Sequence, residues 1–201
     1  MKKVTLLFAA IAVAFSVQAQ SVGLKAGATF ANWNGDEAID EMKSKAGLVF
    51  GVFADLNLGD GGFAIHTGID YQQKGFKVDE DGYKETNTLN YLVIPVRAAY
   101  NIDAGPVVIF VEAGPYLGLG LSGKSKFEIE GIGEDEADLD FGSADDEISG
   151  TDFGLSFGGG VKVSKLRAAL NYDLGLSSLS NVEETDIKNG VFMITLGYAI
   201  F

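Results

Sequence analysis

Residues 107–121, VVIFVEAGPYLGLGL, indicate how this chain folds. Apolar side chains recur at every second position, as at Val107, Ile109 and Leu121, and the positions between them hold glycines, a tyrosine and Glu112. Alternation with period two is typical of a β-strand, since successive side chains point to opposite faces. The stretch therefore predicts a strand with one apolar face and one polar face.

The same alternation recurs along the rest of the chain, which predicts an all-β fold. Long connections follow the first, third, fifth and seventh predicted strands, and short ones such as LGDGG and DAGP follow the others. Short turns of this kind join antiparallel hairpins, so an up-and-down meander with its long loops at one end is expected. The eight predicted strands lie near 21–31, 46–58, 62–75, 88–102, 106–122, 151–163, 165–177 and 190–201.

The meander can close into a barrel in two senses, because period two does not say which face is inside. A soluble barrel would place the apolar face inward and cover its exterior with charge. Here the polar face is rich in glycine and its charges nearly balance, which favours a crowded lumen with a polar network of ion pairs. The titratable residues on this face are Lys25, Asp55, His66, Asp70, Arg97, Glu112, Lys162, Arg167 and Asp173.

Aromatic residues lie near both ends of the apolar face, which is typical of the two aromatic girdles of a membrane barrel. The sequence therefore predicts an eight-stranded antiparallel up-and-down transmembrane β-barrel in the cell outer membrane, with lipid against its exterior. Eight strands leave an interior that side chains fill, so we expect a plugged lumen. The girdle residues are Phe63, Tyr100 and Tyr198 at the short-turn end, and Phe30, Tyr71, Phe153 and Phe192 at the other.

The first 19 residues have the pattern of a secretory signal peptide: two lysines, a short apolar run, and small residues before the cleavage point. A retained membrane helix is the alternative, but the run is shorter than the roughly 20 apolar residues that spanning needs. Residues 20–201 then form one barrel domain. The formal net charge of −13 argues against nucleic-acid binding, and the lack of cysteine excludes disulfides.

The stretch GLGLSGKS, residues 118–125, matches the phosphate-binding pattern G-x-x-x-x-G-K-[ST]. A working loop of this type joins a strand to a helix whose N-terminus faces the phosphates. The residues that follow lack helical periodicity. We therefore expect Gly118 and Gly120 to lie in the lumen and Gly123 to Ser125 to begin a loop, without a nucleotide site.

Several stretches in order, among them GLKAGATFANWNGD, LNYLVIPVRAAYNI and KNGVFMITLGYAIF, resemble the PorT-like outer-membrane barrel family of Gram-negative bacteria. The resemblance implies a periplasmic N-terminus and periplasmic short turns. Some relatives assist a protein secretion apparatus, so an accessory role in secretion is an alternative function. The resemblance also implies that the barrel-assembly machinery recognises a final aromatic residue, here Phe201, although Phe201 falls on the opposite face from the apolar row of the last strand.

The third long loop, about residues 122–150, is strongly acidic. Carboxylates suit calcium, and an acidic surface can bind a basic protein partner. No EF-hand spacing is present, and dense acidity is also typical of a mobile solvated loop, so no metal is assigned. The candidate residues are Glu134, Asp135, Glu136, Asp138, Asp140, Asp145, Asp146 and Glu147.

No candidate catalytic constellation is found in the sequence. The single histidine, His66, is expected in the luminal network, because catalysis would require a nucleophile within its reach. Trp33, in the first long loop, is expected to anchor at the membrane interface. The predicted function is that of a monomeric, non-enzymatic surface scaffold or binding protein without a cofactor.

Overall fold

A computed structural model describes residues 21–34, 42–80, 82–129, 131, 133–142, 148–181 and 187–201. No helix within these ranges has the length and apolar character that crossing a membrane requires. The predicted signal peptide lies outside the described residues. The strands are β1 (Ser21–Asn34), β2 (Met42–Asn57), β3 (Phe63–Glu80), β4 (Tyr83–Ala104), β5 (Val107–Ile129), β6 (Gly133–Leu139), β7 (Phe141–Gly142), β8 (Ile148–Ser149), β9 (Thr151–Val163), β10 (Leu166–Gly175) and β11 (Lys188–Ala199).

Eight of these strands form a closed antiparallel ring in the order β1, β2, β3, β4, β5, β9, β10, β11. The ring closes where β11 pairs with β1, from Gly23 opposite Ala199 to Asn34 opposite Lys188. Closure satisfies the backbone hydrogen bonds of the first and last strands and leaves no free sheet edge. The predicted eight-stranded up-and-down barrel is confirmed.

The strands run further at the long-loop end than the sequence predicted. β3 and β4 remain paired out to Glu80 and Tyr83, where Gly82 takes a φ of +83° in a tight turn. β5 continues to Ile129 and returns as β6, so Gly123 to Ser125 lie within a strand and not in a loop. These extensions carry charged side chains on their outward face, which hid the alternation of apolar and polar residues.

The outward face of the ring is apolar and the inward face is polar. Leu196 and Leu170 are 69% and 52% exposed, whereas the inward His66 and Asp70 are 2% and 1% exposed. A water-soluble barrel places its apolar residues the other way round. The inversion matches the lipid-facing exterior that the sequence predicts.

A chain of polar side chains marks where the apolar exterior ends on β3, β4 and β5. The Tyr71 hydroxyl donates to Asn90 Oδ1 at 2.7 Å, and the Gln73 amide donates to the same oxygen at 3.3 Å. The Asn90 amide in turn donates to Ser122 Oγ at 2.9 Å. The Tyr71 ring also stacks on Phe50, with centroids 4.7 Å apart, so it joins the apolar wall to the polar rim.

The structure places Trp33 inside the barrel, so the predicted interfacial anchor is wrong. Its ring lies 4.2 Å from that of Phe76 and packs against a buried cluster that includes Leu89 and Tyr91. The reason is strand length: β1 runs to Asn34, so Trp33 keeps the inward direction of Ala31 two residues before it.

We expect Leu170→Arg to lower the free energy of unfolding from lipid vesicles by about 2–4 kcal/mol, because it puts a charge on the lipid-facing wall near mid-height. Leu166→Arg, on the same face of β10 but next to the short turn, should cost about 1 kcal/mol or less. Urea titration of both variants in the same vesicles measures the difference. Equal small losses would contradict a lipid-facing wall.

Candidate functional site: the luminal charge network

Six charged or titratable side chains from six strands meet in the half of the lumen nearer the short turns. Each lies at one of the alternate positions of its strand whose side chains point inward. The strand register places several of them side by side: Asp55 lies opposite His66, and Lys162 opposite Arg167. We call this group the luminal cluster. Its members are Asp55, His66, Arg97, Glu112, Lys162 and Arg167.

Glu112, on β5, is the centre of the luminal cluster, and its side chain is fully buried. One carboxylate oxygen accepts from His66 Nδ1 at 2.5 Å and from Arg167 Nη2 at 2.9 Å. The other accepts from the Asn171 amide at 2.7 Å and from Arg97 Nη1 at 3.4 Å. One carboxylate thus binds donors from three other strands.

Asp55 is the second anionic centre. It receives Arg167 Nη1 and Lys162 Nζ, both at 2.7 Å. Lys162 Nζ also lies 3.3 Å from Asn101 Oδ1 and 3.2 Å from His66 Nε2. With its Nδ1 hydrogen donated to Glu112, the His66 ring accepts at Nε2. The imidazole is held between two charged groups and is not left free.

A second layer of charges lies above the luminal cluster. Lys25 on β1 pairs with Asp70 on β3 at 2.8 Å. Asp173 on β10 accepts a hydrogen bond of 2.5 Å from the Ser156 hydroxyl, and that hydroxyl accepts from Arg97 Nε at 2.8 Å. Arg97 therefore connects the two layers.

A further charged pair, Lys74 with Asp152, was not predicted from the sequence. Both side chains are fully buried, and Lys74 Nζ lies 2.7 Å from Asp152 Oδ2. Asp152 also accepts from the Tyr116 hydroxyl at 3.1 Å and the Asn189 amide at 2.8 Å. The alternation of inward and outward residues along β3 indicates that Lys74 points inward, since it lies on the same face of the strand as Asp70.

The structure thus places all nine sequence-predicted lumen residues inside the barrel and adds this further pair. Ion pairing is complete among them, because five carboxylates are matched by five basic side chains. The carboxylates are Asp55, Asp70, Glu112, Asp152 and Asp173, and the basic residues are Lys25, Lys74, Arg97, Lys162 and Arg167.

Glycines on the adjacent paired strands leave room for these large polar groups. A Cβ atom at Gly51 would lie 2.5 Å from Asp70 Oδ1, and one at Gly158 would collide with the Asn171 amide. The glycines of the polar face are therefore part of the packed lumen. A larger residue at either position would displace a group that binds an ion pair.

An apolar layer covers the lumen at the long-loop end. Its buried core is Leu89, Tyr91, Val93 and Tyr116, and Phe141 of β7 packs on it. The Phe141 ring occupies the space at Gly120, where an added Cβ would lie 2.6 Å from a ring carbon. The Gly120 amide also donates to Gly150 O at 2.9 Å, which fastens the segment around β7 and β8 to the barrel.

The predicted acidic loop is in part a β-hairpin. Residues 133–139 form β6 against β5, where Lys126 Nζ lies 2.5 Å from Glu134 and Lys124 Nζ lies 3.4 Å from Glu136. The hydrogen bond with Glu134, with its negative charge, raises the pKa of Lys126 above its ordinary value. Asp145, Asp146 and Glu147 lie outside the described residues. Within the described ranges, no three histidine or carboxylate side chains converge as metal ligands would.

The strand boundaries show where the phosphate-loop pattern and the last residue lie. Residues 118–125 lie wholly within β5, which leads into a hairpin and not into a helix. Phe201 follows β11 and is 82% exposed, and its backbone forms two hydrogen bonds of 3.3 Å with Val22. Its role as an assembly signal stays a prediction.

Comparisons with known proteins find several solved structures that are similar to this chain. The solved structures similar to the chain include Ail, the attachment invasion locus protein of Yersinia pestis, at 13% identity and a TM-score of 0.45, covering 90% of this chain and 98% of Ail. Neisserial surface protein A matches at 14% and 0.45, covering 88% and 96%. The outer membrane enzyme PagL matches at 13% and 0.37, covering 90% and 99%.

No curated protein sequence matches the chain significantly. A family model described as the outer membrane protein beta-barrel domain matches residues 18–181. The match extends over seven of the eight ring strands, from β1 through β10. The protein is located in the outer membrane, and the chain belongs to the outer membrane protein beta-barrel domain family.

Proposed function

We propose that this protein is a monomeric, non-enzymatic surface scaffold of the PorT-like type, which contacts lipid with its exterior and binds a basic partner through its acidic hairpin. In this proposal the short turns face the periplasm and the hairpin of β5 and β6 faces outward from the cell. The accessory role in secretion, which the resemblance implies, stays a prediction.

The observation that carries the proposal is the packed lumen, in which five carboxylates are matched by five basic side chains. Glu112 and Asp55 bind cationic groups from the opposite wall, and Arg167 lies within 2.9 Å of both. Further along the lumen, the Lys74 and Asp152 pair and the apolar layer occupy the interior. A lumen filled in this way supports a scaffold rather than a channel.

The surroundings of His66 support a non-enzymatic role. The hydroxyl of Ser156 donates to Asp173 and so is not hydrogen-bonded to the imidazole as an activated nucleophile would be. His66 itself contacts carboxylates and cations of the luminal cluster. This is the arrangement of a structural network.

The acidic hairpin supports binding of a basic partner, because its lysines neutralise only part of its charge. Lys124 and Lys126 pair with Glu136 and Glu134. Asp135 and Asp138 are exposed and form no ion pair with another described residue. A paired hairpin with exposed carboxylates that form no ion pair within the described ranges presents a negative surface. Calcium is the other ligand that such oxygens suit.

We expect Glu112→Gln to lower the free energy of unfolding by about 3 kcal/mol, because it leaves Arg97 and Arg167 buried with one anion fewer. Glu136→Gln, on the exposed hairpin, should cost less than about 1 kcal/mol. Urea unfolding in vesicles, followed by the fluorescence of Trp33, compares the two. Similar losses in the free energy of unfolding for both variants would show that the luminal cluster contributes no more to stability than the exposed ion pair.

The binding role is tested by replacing Asp135 and Asp138 with asparagine. We expect the double variant to bind an oligolysine peptide about three- to tenfold more weakly than the wild type, since two surface charges are removed. Calorimetry on protein in nanodiscs measures the affinity, with calcium titrated in a separate arm.

The matched control replaces Asp60 and Asp103, two aspartates at the opposite, short-turn end, with asparagine. It changes the net charge by the same amount and should leave oligolysine binding unchanged. Equal weakening in both double variants would mean that net charge and not the hairpin attracts the peptide. Absence of binding by the wild type to oligolysine and to calcium would refute the proposed role.

A further inference from the structure

An apolar groove with a volume of about 620 Å³ runs along β1 on the outer wall of the barrel. It exists because Ala26 is small and lies between two large neighbours, Phe50 on β2 and Leu196 on β11. Ala26 is itself exposed at the floor of the groove. The side chains that form the walls and ends are Leu24, Phe50, Val52, Leu166, Leu196 and Tyr198.

A cation, Lys165, lies beside two residues that line the short-turn end of this groove, Leu166 and Tyr198, and its own side chain lines the pocket at the short-turn mouth of the lumen. Lys165 directly precedes Leu166, in a turn where Ser164 takes a φ of +54°. Lys165 Nζ lies 6.0 Å from the centre of the Tyr198 ring and donates to Ile200 O at 3.1 Å. An ammonium group has three hydrogens, so two remain for an anionic ligand.

A second apolar groove on the other side of the barrel lacks this cation. It has a volume of 270 Å³, and its lining includes Ala98, Tyr100 and Val111. Beyond it lie Asp60, in the β2–β3 turn, and Asp103, near the end of β4, and the two adjoining turns contain no lysine or arginine. Both grooves have apolar walls, but only the larger one has a lysine beside its short-turn end.

We propose that the groove along β1 binds a glycerophospholipid, with an acyl chain over Ala26 and the phosphate at Lys165. This inference rests on the lipid-facing exterior of the proposed function. Lipid tails surround such a barrel everywhere, so residence at one place comes from shape and from the charged headgroup contact. A second copy of the chain fits less well, since it would present the same concave surface to a concave surface.

The test is native mass spectrometry of the full chain in detergent, titrated with phosphatidylglycerol. We expect one tightly retained lipid per barrel. Lys165→Gln should weaken its retention about two- to fivefold, as for an exposed ion pair. Ala26→Leu should abolish retention by filling the groove, whereas Ala98→Leu, which fills the second groove, should leave it unchanged. Diacylglycerol with the same tails should be retained no better by the wild type than by Lys165→Gln.

Folding of every variant is verified by the shift in gel mobility between unheated and heated samples. No retained phosphatidylglycerol, or equal retention in all variants, would overturn the proposal. A two-chain species that Ala26→Leu dissociates would also overturn it, since the groove would then hold a second copy. These results leave the proposed function intact as long as the protein needs detergent, whereas a protein soluble without detergent would refute both.

Discussion

The carboxylate of Glu112 is the contact on which the barrel interior depends. It accepts hydrogen bonds from His66, Arg97, Arg167 and Asn171, which come from β3, β4 and β10. Groups with ionic charge are stable away from water only when every charge is paired and hydrogen-bonded. A wall that faces lipid must turn its charges inward, so the lumen has to neutralise them.

Closure of the ring and packing of the lumen depend on each other. The backbone of β1 and β11 is satisfied by their mutual pairing, and that pairing places Arg167 of β10 within 2.7 Å of Asp55 of β2. Glycines such as Gly51 and Gly158 leave the space that the charged side chains occupy. The apolar exterior and the polar interior are thus two consequences of one alternating pattern.

The long-loop end of the barrel differs from the rest in the residues of its outward face. Four strands, β3 to β6, extend there beyond the chain of polar side chains formed by Tyr71, Asn90 and Ser122. Their outward face carries lysine, threonine and carboxylates. Water on that face removes the requirement for an apolar surface. The hairpin can therefore carry charge that is free to bind a partner, which no position on the lipid-facing wall could.

Much of this architecture can be predicted from the sequence, since alternation assigns each residue to a face. This alternation predicts that His66, Arg97 and Glu112 lie in the lumen, where they are buried. Alternation does not give height or direction, so the particular contacts of Glu112 could not be predicted. Lys74 and Asp152 were missed at the ends of their predicted strands, and Trp33 was misplaced. Near the long loops the outward face becomes polar, so the alternation that marks a strand end is lost although the inward side chains stay buried.

Side chains that fill the lumen should leave no continuous path for ions. Single-channel recording of the purified full-length barrel in planar bilayers tests it most directly, with insertion verified by protease protection. A filled lumen should give no steady current above the bilayer background. Stable, large conductance steps that scale with salt concentration would contradict it.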